Sequence, residues 1–219
     1  MNIKKLLAIN IITVAALSAV GVGGFYYYDQ ATNYIKTDNA KIDGKQYVIT
    51  SPASGVLTNW QGTLGKEFLP NTSLGQVSVP STDTNGQSST VSINSPSDLT
   101  IVADKAANNT LVSPGTALAY AYDFNNLYVT ANIEETKIDD VEVGQDVDIY
   151  VDALGDTPLK GKVEEIGLST ASEFSLTSSG NSDSNYTKVT QVIPIKISID
   201  EHKGSQIVPG MNVTVKVHK

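Results

Sequence analysis

QDVDIYVDAL, residues 145–154, is the stretch on which the fold turns. Val147, Ile149 and Val151 alternate with Asp146, Asp148 and Asp152. Successive side chains of an extended strand point to opposite faces, so this period of two describes a strand with one buried and one wet face. Solubility of that wet face accounts for the three aspartates. The flanking sequence repeats the theme. NLYVTANI (126–133) is dense in β formers, KGKVEEIG (160–167) carries Val163 and Ile166, KVTQVIPIKISI (188–199) alternates again, and VPGMNVTVKV (208–217) ends in another strand. EETKIDDVEVG (134–144) suits a brief helical turn stopped at Gly144. Five or six short strands punctuated by Gly and Pro predict a small β-barrel, which removes exposed sheet edges by closing on itself.

Upstream lies a second strand-rich unit. YVITSPASGVLTNW (47–60), TVSIN (90–94) and LTIVAD (99–104) read as strands, with turns at Gly62, Gly65, Pro70, Gly75 and SPGT (113–116). No helical repeat is visible between residues 29 and 130. VPSTDTNGQSST (79–90) and STASEFSLTSSGNSDSNYT (169–187) are polar and read as exposed loops. Gly55, Gly144, Gly161 and Gly210 are expected at turns. Trp60, the single tryptophan, is either a core anchor or an exposed contact.

At the N-terminus Lys4 and Lys5 precede 23 uncharged residues, Leu6–Tyr28. At about 1.5 Å per residue such a helix would cross a hydrocarbon core of about 30 Å. The expectation is a single transmembrane anchor in the cytoplasmic (cell) membrane, N-terminus inside, with Tyr26, Tyr27 and Tyr28 at the outer interface. A cleaved signal peptide, cut near Leu17, Ser18 and Ala19, is the alternative. Either way Asp29 onward is exported. The net charge of −8, with no arginine, argues against nucleic acid as a partner. The absence of cysteine excludes disulfide and thiol chemistry.

Catalytic patterns are missing: there is no GxSxG, HExxH or phosphate-binding glycine loop. His202 and His218 are read as solvated rather than as a metal pair. The acidic cluster Glu134, Glu135, Asp139 and Asp140 lacks calcium-loop spacing and is read as a solvated face. No catalytic, cofactor-binding or metal-binding residue is assigned, no cofactor is expected, and the chain is not read as an enzyme.

NLYVTANIEETKIDDVEVGQDVDIYVDALGDTPLKGKVEEIG, followed by NYTKVTQVIPIKISID and VPGMNVTVKV, resembles the barrel of the membrane fusion proteins, the periplasmic adaptor subunits of bacterial exporters. The likeness is to the multidrug-export and haemolysin-secretion type. TDNAKIDG (37–44) is similar to the segment after their anchor, and Glu134, Glu135 and Thr136 are signature residues of the resemblance. The upstream unit resembles their split biotinyl-lipoyl-like domain, with ITSPASGVLTNW in one half and VSINSPSDLTIVADKAANNTLVSPGTAL in the other. Two departures stand out. The α-helical hairpin that separates the halves in relatives is replaced by a short segment at 68–90, and Leu99 occupies a position where the motif usually has Gly.

The resemblance implies an all-β extramembrane part behind the helix. Its expected segments are an anchor at 1–28, a stalk at 29–44, a biotinyl-lipoyl-like domain at 45–124 and a β-barrel at 125–219. It implies a non-catalytic adaptor of an efflux or secretion transporter, exporting small molecules or peptides. The partner would be a polytopic exporter of the major-facilitator type, with the ABC type as alternative, and self-association is expected. Contacts are expected in the loop around Ser172, Phe174 and Leu176 and at Asn185, Tyr186 and Lys188. The rival reading is an extracellular binding or structural cell-envelope protein, with Tyr120, Tyr122 and Tyr128 lining a groove.

Overall fold

The computed structural model describes residues 3–80, 89–155, 157–171, 190–200 and 207–219, with helix side chains described at 11–25, 32 and 33. A helix, α1 (Ile3–Asn33), leads into β1 (Tyr34–Thr50). Then come β2 (Gly55–Thr58), β3 (Glu67–Phe68), β4 (Ser73–Val79), β5 (Ser89–Asn94), β6 (Leu99–Asp104), β7 (Leu111–Val112) and β8 (Ala117–Glu134). A 3-10 helix at Glu135–Asp140 precedes β9 (Asp146–Val151), β10 (Leu159–Ile166), β11 (Val192–Ser198) and β12 (Asn212–His218). The chain divides into two compact units. One is Met1–Lys41, Val129–Glu201 and Met211–Lys219; the other is Ile42–Tyr128 and His202–Gly210. β1 and β8 contribute residues to both.

The all-β expectation holds for the described chain beyond the helix, but the transmembrane part of it does not. Among the described residues, no helix is long and apolar enough to cross a membrane. The stretch of α1 with described side chains, 11–25, carries Thr13 and Ser18 among its apolar residues. It also contains Gly21, Gly23 and Gly24, which contribute no apolar surface. The expected single-pass localisation with the N-terminus inside is corrected with it.

The first unit is a closed barrel. Its strands run in the order β1-β12-β9-β10-β11-β8, and β8 also pairs with β1. The closing seam is reinforced by side chains: Thr37 Oγ1 donates to Asn132 O (3.0 Å) and Asn132 Nδ2 to Asn39 Oδ1 (3.0 Å). Residues 29–44, expected as a stalk, hold the end of the helix and, from Tyr34, the first strand, paired to β12 from Tyr34↔His218 to Lys41↔Asn212. The core is filled almost entirely by β-branched residues: Ile35, Val129, Ile133, Val147, Ile149, Val151, Val163, Ile195, Ile197, Val213, Val215 and Val217 are all buried. Such residues suit a pleated, half-buried surface, and each contributes about 1.5–3 kcal/mol on burial.

The second unit is a sandwich. A sheet in the order β5-β4-β2-β7 accompanies the run β8-β6-β3. Ile49, Leu57, Trp60, Phe68, Leu74, Val77, Ile93, Leu99, Ile101, Val112 and Leu118 form its core. Trp60 is therefore a core anchor. Its Nε1 donates to Asp104 Oδ1 (3.0 Å), satisfying the polar edge of a buried indole.

The two halves of this unit are copies offset by 44 residues, a repeat that strand patterning does not reveal. Ser51 Oγ donates to Ala53 O (2.8 Å) as Ser95 Oγ does to Ser97 O (2.6 Å). Asn71 (φ 62°) and Gly115 (φ 83°) both take the left-handed conformation after a proline. Each half caps the other: Gly115 N–H donates to Ser51 O (2.9 Å) and Asn71 N–H to Ser95 O (2.8 Å). The signals in the sequence are the paired Ser-Pro of 51–52 and 95–96 and the match of PNTSL (70–74) to PGTAL (114–118).

β4 and β5 form a hairpin, paired from Ser73↔Asn94 to Val79↔Ser89. The segment expected as a loop over 79–90 thus begins and ends in strand. Only nine residues separate Val79 from Ser89. As a helix they would span about 13 Å in total, too little for an α-helical hairpin.

Two glycines expected at turns lie inside strands. A Cβ on Gly55 would sit 2.2 Å from Ser78 O, and one on Gly161 would sit 2.0 Å from Ser198 O. Both permit close approach of a neighbouring backbone. Gly144 (φ 96°) and Gly210 (φ 93°) do occupy turns.

Candidate functional site

The barrel's outer face carries an ordered stripe of charge across β10, β9 and β12. Lys160 stands opposite Asp148 and Lys162 opposite Asp146, while Lys216 faces Asp148 from the other side. Aspartates on the middle strand are thus flanked by cations, the favourable arrangement for cross-strand pairs. Asp148 binds Lys160 Nζ, and its Oδ2 lies 3.1 Å from His218 Nε2. The His218 ring in turn packs edge-on against Tyr34, centroids 4.8 Å apart. Lys216 lies over the Tyr150 ring at 4.9 Å.

Only 13% of the Asp148 side chain is exposed, so it is not on the freely wet face that alternation alone implies. Burial pushes its carboxyl up, but the Lys160 and His218 hydrogen bonds outweigh that and hold it below the ordinary 3.8. Asp146 is also lowered, by its hydrogen bond to Lys162, and the two lysines are correspondingly raised. A carboxyl depressed in the folded state stabilises above its unfolded pKa, and that contribution is lost as pH falls through the folded value. D148N should therefore cost about 1–2 kcal/mol at neutral pH. The gap from the parent should begin to narrow as pH falls below about 4, the unfolded range, and go on narrowing through the lower folded value. Urea unfolding at pH 7 and pH 3 checks this; an equal gap at both would refute it.

Two carboxylates of the acidic cluster are paired with lysines. Lys137 pairs with Glu134 (2.8 Å) and Lys219 with Asp140 (2.7 Å). Among the described residues no group of His, Asp and Glu could hold a metal ion. Lys219 N–H also donates to Asn33 O (3.0 Å), and Glu135 N–H to Gln191 O (3.0 Å), so the 3-10 helix sits at the barrel end where α1 enters. Exposed apolar residues on this unit include Leu168 and Val143, at 104% and 65% exposure.

The contact residues expected from sequence, Ser172, Phe174, Leu176, Asn185, Tyr186 and Lys188, lie outside the described residues, as does His202. His218, expected to be simply solvated, instead belongs to the Asp148 pair. Tyr120, Tyr122 and Tyr128 are half-buried along β8, and Lys105 lies over the Tyr120 ring (4.5 Å).

These two units correspond to known domains. The YhbJ barrel-sandwich hybrid domain matches residues 46–123, and the AAEA-like beta-barrel domain matches residues 126–218. The chain is 43% identical over 217 residues to YhbJ of Bacillus subtilis, named as an efflux system component, covering 99% of this chain and 94% of that one. The chain belongs to the membrane fusion protein family. Other membrane fusion proteins match in part. The colistin resistance protein EmrA of Acinetobacter baumannii is 38% identical over 107 residues, which is 48% of this chain and 30% of that protein. The chain thus spans under a third of that longer relative. In fold it resembles ZneB from Cupriavidus metallidurans (TM-score 0.61, 15% identity, 85% of this chain and 99% of that one). It also resembles the periplasmic adaptor protein EmrA (TM-score 0.54, 12% identity, 85% and 99%). As a membrane fusion protein it is a non-catalytic subunit.

Proposed function

We propose that this membrane fusion protein is the adaptor of a polytopic exporter of the major-facilitator type and assists export of small molecules. Near full-length similarity to a protein named as an efflux system component carries the adaptor reading. The exporter class is supported by the chain's likeness to proteins named for multidrug export, such as EmrA of Escherichia coli, 36% identical over 96 residues and 43% of this chain. The short β4–β5 hairpin leaves the barrel and sandwich units as the surfaces available for that role. Contact through the barrel is argued from Leu168 and Val143, large apolar side chains exposed on it.

A photo-crosslinker placed at 168 or 143 in cells should capture a polytopic transporter, identified by mass spectrometry. The same probe at Leu111, on the sandwich, supplies the comparison. Recovery of wall-associated or soluble proteins alone, with efficient crosslinking, would sink the adaptor reading; recovery of an ABC transporter would overturn only the exporter class.

A further inference from the structure

The outer strands of the sandwich differ in how they are protected. β3 ends the run β8-β6-β3 and β7 ends the run β5-β4-β2-β7, and each is only two residues long. β5 (Ser89–Asn94) is six residues long, and among the described strands it pairs with β4 alone. Its sequence, STVSIN, has neither charge nor proline. An outer strand presents a row of main-chain donors and acceptors, and short length, charge and proline are common means of keeping other chains off it. β5 has none of the three.

The inner face of the same sheet carries a second observation. Leu57 stands opposite Val77, and Val77 opposite Val91. Leu57 and Val77 are fully buried, whereas Val91, the last of the row, is half-buried. The apolar row stops at β5 for want of a neighbour. On the other face Thr90, Ser92 and Asn94 are exposed. Charge points to the occupant. With a net charge of −8, two copies of the chain repel one another overall. Between Glu67 and Asp98, however, Asp83 is the only charged residue, so two copies that meet at β5 bring neutral strands together.

We propose that β5 pairs antiparallel with β5 of a second copy of this chain, about a twofold axis at Ser92. Directly opposed residues of an antiparallel pair lie on the same face of the sheet. With Ser92 opposite itself, Val91 meets Ile93 of the second copy and extends the row Leu57, Val77, Val91 by one apolar residue. Thr90 meets the second copy's Asn94, so the outer face gains polar pairs only. The strand is thus complementary to itself in both faces and in charge, as a twofold contact requires. This contact does not rest on the exporter reading.

Sedimentation equilibrium of the purified full chain from about 10 to 500 µM covers the range of a small interface. A monomer–dimer equilibrium is expected. S92K and S92E each place like charges directly opposite one another and should dimerise at least about tenfold more weakly, whereas an equal mixture of the two should recover the dimer. That recovery also shows that both variants fold. Directly opposed Cα atoms lie about 4.5–5.5 Å apart, within disulfide reach. In this cysteine-free chain S92C should therefore oxidise to a linked dimer at least about tenfold faster than T63C, which is exposed away from β5. A parent that stays monomeric, charge variants that dimerise like the parent, or a mixture that does not recover would each overturn the proposal. A photo-crosslinker at 92 that captures only other proteins in cells would give the edge to a foreign strand and overturn it as well.

Discussion

Replacing Gly161 with alanine should destabilise the barrel by about 3 kcal/mol or more, at or beyond the top of the usual overpacking range. The new methyl would lie 2.0 Å from Ser198 O and 3.0 Å from Ile149 Cδ1. The first contact is with a peptide oxygen, which has no rotamer to change. The strands are also tied at this point: Asp200 N–H donates to Lys160 O (2.9 Å), and Ser198 Oγ donates to Lys162 O (3.3 Å). Relief therefore requires β10 and β11 to separate, opening a barrel whose stability depends on closure. Urea denaturation followed by circular dichroism should show a large fall in midpoint for G161A. K162A, one residue away with an exposed side chain, should move it by no more than about 0.5 kcal/mol. Similar midpoints for G161A and the parent would show that the two strands can part without cost.

Replacing Trp60 with alanine should cost the sandwich about 3–5 kcal/mol. The indole is 9% exposed and fits between two glycines. A Cβ on Gly62 would lie 2.3 Å from Cζ2, and one on Gly75 would lie 3.0 Å from Cε3. The ring is thus packed directly against main chain on two sides, and those walls cannot collapse into the space it leaves. Removal also strips Asp104 Oδ1 of the indole donor, although Ala106 N–H still reaches it at 3.1 Å. Denaturation by circular dichroism tests this for W60A, because the single tryptophan is lost as a fluorophore. W60F should recover part of the loss by refilling some volume while leaving the hydrogen bond unmade. A cost below about 1 kcal/mol for W60A would return Trp60 to the exposed-contact reading.

Local pattern was legible wherever one strand spoke for itself. Val147, Ile149 and Val151 are buried as their alternation predicts, and the helical turn and Gly144 lie where expected. The opening strand of the barrel was not legible. A register shift between Thr37 and Ala40 interrupts its period, so Ile35, Ala40 and Ile42 are buried at spacings no simple alternation gives. Gly55 and Gly161 were misread because a glycine required by a neighbouring strand looks, in sequence, like a glycine required by a turn. The transmembrane expectation rested on an uncharged run, and the described part of that helix is not long and apolar enough to support it.

The sequence by itself determined what depends on near neighbours: strand periodicity, turn chemistry, the absence of cysteine and of catalytic motifs, and a resemblance spread over residues 126–217. Tertiary structure alone decided what depends on residues far apart in the chain. Asp148 meets His218 across 70 positions, and Asn132 seals the barrel against Asn39 across 93. Asp98 Oδ1 is buried without a hydrogen-bond partner among the described residues. Side-chain alternation is a property of one strand, but burial, pairing and an unsatisfied carboxylate are properties of which strands become neighbours, and no local pattern encodes that.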